Sequence, residues 1–177
     1  VTTVVTEPDV WEALAEVQDP EIPTVSVVDL GIVRRVEVGE DRLRVELLPT
    51  FVGCPATELI RKAVAERLAA LAPVVEVEAT FTEPWTSDRI TPEGRRKLRE
   101  SGFAPPAAAA TPGAHTGHGG AGGEGPLLLT ISSRTTATCP YCGSGDTAME
   151  NPFGPTPCRS IFYCNACKQP FERFKSV

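Results

Sequence analysis

Pro49-Thr50-Phe51-Val52-Gly53-Cys54-Pro55 joins two different residue patterns. Upstream, residues 42–48 alternate apolar Leu43, Val45 and Leu47 with Arg42, Arg44 and Glu46, the period of a half-buried strand. Downstream, Leu59, Ile60, Ala63, Val64, Leu68 and Leu71 recur at helical spacing over residues 56–71. The spacing puts Cys54 at the expected N-cap and Pro55 at the first helical position, where proline is favoured. A sulfur at that point faces unpaired backbone N–H groups and the positive end of the helix dipole, which favours thiolate, the form that binds metal or attacks electrophiles. The other reading is that Cys54 is a small apolar filler, since free cysteine is among the most buried residue types. Placement alone leaves both open.

The flanks of this stretch extend the same alternation of elements. Thr6-Glu7-Pro8-Asp9 resembles a capping box, and Val10, Trp11, Leu14 and Val17 continue it as a helix. Asp19-Pro20 ends that helix, because the residue before a proline avoids the α conformation. Residues 32–38 pair with 42–48 as a hairpin around Gly39-Glu40-Asp41, and residues 74–81, after Pro73, supply a third strand. Thr91-Pro92-Glu93 opens a last helix with Gly102 as its stop, carrying Arg95, Arg96, Lys97 and Arg99 on a solvated or partner-docking face. The order predicts an α+β fold: a small α-β-β-α-β two-layer domain over residues 1–103. Residues 104–126 are nearly all Ala, Pro, Gly, Thr and His, the composition of a flexible linker, and His115 and His118 within it lack the fixed scaffold a metal ligand needs.

Residues 127–177 hold most of the cysteine. Cys139-Pro140-Tyr141-Cys142 and Cys164-Asn165-Ala166-Cys167 are paired knuckles whose four thiolates suit a tetrahedral zinc ion. Hairpin strands at 160–163 and 170–175 complete a zinc ribbon, a unit so short that its metal supplies most of its folding energy. Iron, as a cluster or a rubredoxin-like centre, is the competing occupant. Cys158 is left over, and spacing does not decide among an alternative ligand, a free thiol and a filler. The formal net charge of -6 and a mean hydropathy of -0.07 argue against a nucleic-acid or membrane binder. Paired Cys-x-x-Cys spacing, with neither a signal-peptide pattern at residues 1–10 nor a long apolar run, predicts a reducing cytoplasm rather than disulfides.

Asp19-Pro20-Glu21, Ser26-Val27-Val28-Asp29-Leu30-Gly31 and the 49–55 stretch together resemble the metal–sulfur cluster assembly domain of SufT-like proteins. Pro84-Trp85-Thr86-Ser87-Asp88-Arg89-Ile90-Thr91, Gly94-Arg95-Arg96-Lys97-Leu98 and the cysteine-rich tail, including Phe153-Gly154-Pro155-Thr156-Pro157-Cys158, are similar to the PaaD/PaaJ family, the D-type subunits of the phenylacetyl-CoA epoxidase of phenylacetate degradation. The resemblance implies iron–sulfur maturation, not oxygenase chemistry, with the epoxidase subunits as partners and the [2Fe–2S] reductase subunit as client. It implies transient iron or cluster and no enzymatic activity, beside the one structural zinc that the knuckle spacing predicts. It makes Cys54 the functional thiol, with Asp19 and Glu21 beside it and Asp29 and Thr50 shaping the loop. A homo-oligomer in which two copies each contribute Cys54 is compatible with it. The competing expectations are a structural adaptor, a nucleic-acid-binding ribbon and a thiol hydrolase, the last lacking a scaffolded histidine.

Overall fold

The computed structural model describes residues 5–106 and 137–175. Helix α1, Glu7–Ala15, starts where the Asp9 carboxylate accepts the Thr6 N–H at 2.8 Å and its hydroxyl at 2.6 Å. Strands β1, Val33–Val38, and β2, Arg42–Leu47, pair antiparallel, with Arg34 as an extra residue in the register. Helix α2, Thr57–Leu68, then crosses over so that β3, Val74–Ala79, lies parallel to β2. Leu43, Val45 and Leu47 point into the core beneath α1 and α2, which pack on each other and on the sheet. Arg44 and Glu46 occupy the other face, as the alternation predicted. Among the described residues no helix is long and apolar enough to cross a membrane.

Helix α3, Pro92–Glu100, is capped by the Thr91 hydroxyl, which accepts the Gly94 N–H at 2.9 Å. It clasps the Asp29-Leu30-Gly31 loop. Thr91 N–H donates to the Asp29 carbonyl at 2.9 Å, Lys97 Nζ donates to the Asp29 carboxylate at 2.7 Å, and Trp85 Nε1 donates to the Leu30 carbonyl at 2.9 Å. A Cβ on Gly94 would sit 2.4 Å from the Asp29 carbonyl oxygen, so only glycine permits this approach. The cation run is therefore used partly within the molecule. Arg95 donates to the carbonyls of Pro106 and Ser87, and Arg96 pairs with Glu93 and Glu100.

The ribbon sheet is built from β4, Phe103–Ala104, β5, Thr147–Asn151, β6, Arg159–Cys164, and β7, Pro170–Phe174, in the order β4-β7-β6-β5. Strand β4 directly follows α3 and lies parallel to β7, so the boundary expected between residues 103 and 104 falls inside a strand of the second sheet. Most of the expected linker, 107–126, and residues 127–136 lie outside the described residues, as do His115 and His118.

The two units share a core. Phe174, 2% exposed, and Cys158, 8% exposed, belong to the apolar cluster of the first domain, and the Phe174 ring lies 5.8 Å from that of Trp85. Arg159 seals the edge, its guanidinium 5.5 Å from the Phe103 ring centroid and bonded to Glu172 at 2.8 Å. Phe174→Ala is expected to cost about 3–5 kcal/mol. It is also expected to split thermal unfolding into two transitions while zinc content stays at the wild-type level. A single transition at the wild-type temperature would show that the seam is not held by this ring.

Candidate functional site

Each side of the site is set by local backbone chemistry. Past α1, the Asp19 Oδ1 atom accepts the N–H groups of Glu21 and Ile22, both at 2.9 Å, closing a turn that fixes its carboxylate. Asp19 N–H donates to the Val25 carbonyl at 2.9 Å, tying the turn to the core. Burial pushes the Asp19 carboxyl above its ordinary value, against the pull of the two backbone donors and Arg159.

Past β2, Cys54 N–H donates to the Phe51 carbonyl at 3.1 Å, and Gly53 takes φ 81, which an L side chain rarely adopts. Helix α2 has Ala56 as N-cap, so Cys54 lies two residues before the cap rather than on it. The reason is local: Ala56 itself takes helical angles, and the Thr57 N–H bonds the Cys54 carbonyl at 3.2 Å, adding a turn ahead of the helix. The helix dipole fades within the first turn, so a sulfur two residues ahead of the cap gains little from it.

The structure brings Cys54, Asp19, Glu21 and Thr50 to one cavity, walled by Leu30, Ile32, Leu47, Ile60 and Phe174. It has room for about one water-sized occupant, roughly 20 Å³. Cys54 is half-buried there. Asp29 does not line the cavity; it shapes the neighbouring loop through Lys97 and through Ser26, whose N–H it accepts at 2.8 Å. Cys158, which spacing left unassigned, lines the cavity from the ribbon side. The one sequence signal that could have found it is a cysteine placed outside the knuckle pattern.

In the ribbon, Cys139, Cys142, Cys164 and Cys167 have all their sulfurs within 4.8 Å of one another. Cys139 and Cys167 Sγ are 3.7 Å apart, and Cys142 and Cys164 Sγ are 3.6 Å apart. A tetrahedral zinc with bonds of about 2.3 Å separates its sulfurs by about 3.8 Å. The set fits one such ion. Both knuckles turn the same way: Gly143 N–H donates to Cys139 O at 3.0 Å and Lys168 N–H to Cys164 O at 2.9 Å, with φ 75 and 61 at the two donors.

Two family models match: the PaaD zinc beta ribbon domain over residues 124–175 and the iron–sulfur cluster assembly protein family over residues 7–79. The putative D-type subunit of 1,2-phenylacetyl-CoA epoxidase from Escherichia coli K12 is 34% identical over 172 residues, covering 96% of this chain and 92% of its own. The chain belongs to the PaaD family. An iron–sulfur protein maturation auxiliary factor of Porphyromonas gingivalis is 35% identical over 96 residues, 52% of this chain and 90% of its own. A solved structure, a conserved hypothetical protein of Thermotoga maritima, is 34% identical with a TM-score of 0.48, covering 55% of this chain and 98% of its own. The PaaD ribbon is a zinc domain, and its four sulfurs make zinc the structural metal where spacing alone had left iron open.

Zinc analysis should give one ion per chain in wild type and none in Cys139→Ala, with the ribbon unfolding when a strong chelator removes the ion. Iron in place of zinc would contradict this. A second outcome concerns the loop beneath α3. Burial alone would push the Asp29 carboxyl up, but the Lys97 ammonium and the Ser26 N–H and hydroxyl outweigh it and hold the carboxyl below its ordinary value of 3.8. A depressed carboxyl contributes stability above its unfolded value and loses it as pH falls through the folded one. Asp29→Asn should therefore cost about 1–3 kcal/mol at neutral pH and flatten the acid limb of the stability curve. An unchanged acid limb would remove the Lys97 pair as its cause.

Proposed function

We propose that this PaaD-family chain is an accessory maturation factor that handles iron, or a nascent iron–sulfur cluster, at Cys54 for the [2Fe–2S] reductase subunit of the epoxidase system. One observation carries the reading: Cys54 shares a single cavity with Asp19, Glu21 and Thr50, in the part of the chain that matches the iron–sulfur assembly family. The chemistry suits cargo. A thiolate is a soft donor and carboxylates are hard ones, a mixture that holds a borderline ion such as ferrous iron without selecting the most stable four-sulfur cage. Four thiolates are the usual complement of a cluster, so a cluster at Cys54 stays only until the thiols of a client complete its shell. Apolar walls keep bulk water from the sulfur while it waits.

The role is non-enzymatic. Cys54 and the carboxylates hold and release cargo, and the oxygenase chemistry belongs to other subunits. A thiol-based maturation step suits the reducing cytoplasm, and the net charge of -6 disfavours a nucleic-acid partner. One observation favours a second reading, a structural adaptor: Phe51, Val52 and Phe81 are exposed in and beside the Cys54 loop, 45%, 78% and 59% respectively, as a docking surface would be.

The two readings separate in a strain lacking the gene. Complementation with Cys54→Ala should give protein with wild-type zinc and thermal stability but a reductase whose iron and sulfide content stays at the level of the deletion strain. A reductase with full iron content would overturn the cargo role. A stable complex with the epoxidase subunits in that same variant would then select the adaptor.

A further inference from the structure

Cys158 belongs to neither knuckle; it lies between them in the chain, immediately before β6, and packs into the core of the other unit. It lines the same small cavity as Cys54, Asp19 and Glu21, although the two cysteines are remote in the sequence. We propose that Cys158 is the second sulfur of the Cys54 site, so that the docked ribbon completes a centre for a single divalent ion of the ferrous class, with Cys54, Cys158 and the carboxylates of Glu21 and Asp19 as donors. The inference rests on the cargo role of Cys54 and adds to it the second ligand and the size of what is held.

Four observations carry it. Cys158 is 8% exposed, and its Sγ lies 3.1 Å from the Thr156 hydroxyl, which is a fixed place rather than a mobile side chain. Arg159, its neighbour, is anchored to Thr156 Oγ1 at 2.8 Å and to Glu172 at 2.8 Å, and its other guanidinium nitrogen lies 3.7 Å from Glu21. The same guanidinium thus aligns a carboxylate on one side of the seam with a thiol on the other, and offsets part of their charge. The cavity has room for a water-sized body, which a single ion matches. Two sulfurs with carboxylate oxygens form a donor set for a borderline divalent metal.

Among the described residues only the ribbon cysteines already have every donor atom within 4.8 Å of the others. An ion at the seam must therefore draw its donors inward. Cys54 and Glu21 lie in loop segments, whereas Cys158, buried beside Thr156, supplies the fixed point.

The test titrates the zinc-loaded full chain anaerobically with cobalt(II), whose bands report the number of thiolates bound, while zinc content is followed to confirm that the ribbon stays filled. Wild type should bind one cobalt with thiolate-to-metal charge transfer. Cys158→Ser and Cys54→Ser should each lose about half of that intensity and bind about 10-fold more weakly or worse, and the double variant should show no charge transfer. Cys158→Ala, which offers no donor oxygen, and thermal melts of each variant separate ligand loss from misfolding. Wild-type bands and affinity in a folded Cys158→Ser would overturn the inference and leave the role of Cys54 standing, as would wild-type protein that binds no cobalt beyond its zinc site. Full reductase iron with Cys54→Ala would instead overturn the reading beneath it.

Discussion

Phe174 enters the core of the first domain from the last strand of the second, and most of what is distinctive in this structure follows from that one contact. Strand β7 delivers the ring, held by β6 on one side and by β4, leaving α3, on the other. Fully burying such a side chain is worth about 1.5–3 kcal/mol, enough to dock a small ribbon but not to make the docking irreversible. The ribbon has little core of its own: Ala104, Ala137, Phe162 and Phe171 around Cys139 and Cys164. Zinc therefore orders the strand that carries Phe174, and Phe174 closes the wall of the cavity on the other side.

The elements with their own periodicity were legible in the sequence. Helix α1, the β1–β2 hairpin, α2, β3 and α3 all follow from apolar spacing and from Thr6 and Thr91 as caps, because each buries one face against a common core. The four zinc ligands were legible because Cys-x-x-Cys spacing encodes a turn geometry that needs no distant partner. Strand β4 was not. Two residues, Phe103 and Ala104, have no period, and they are extended only because β7 lies beside them. The start of α2 moved for a related reason: Ala56 has no capping side chain, and the backbone turn at Cys54 took over the N-cap's work.

At the site the division is sharper. Asp19, Glu21, Thr50 and Cys54 come from two stretches that could be picked out singly, but nothing local says that they meet. Asp29, picked out with them, acts at one remove by tying its loop to α3 through Lys97. Cys158 is the extreme case. Its partners lie across a contact between units that are sequentially remote, and such contacts leave no short-range pattern to read. The pull of two opposing needs explains the character of the cavity. Under the proposed role, a sulfur that must release its cargo cannot sit in a closed four-thiolate cage, yet one left in water would lose that cargo or oxidise. A half-buried thiol among Leu30, Ile32, Leu47 and Ile60, with carboxylates for company, meets both needs.

With an ion at the proposed seam site, docking would make that site and the zinc site thermodynamically dependent on each other. Whatever favours the folded, docked ribbon favours a complete cavity, and an ion gripped from both sides of the seam must in turn favour the docked ribbon. Linkage requires the two effects to be equal in free energy, so under the proposed role zinc and cargo would tighten each other by the same factor. No chain of side chains would have to carry this coupling; docking of the ribbon would itself be the two-state element that both ions bias. A contact strong enough to exclude water and weak enough to open is what the proposed hand-over of cargo requires.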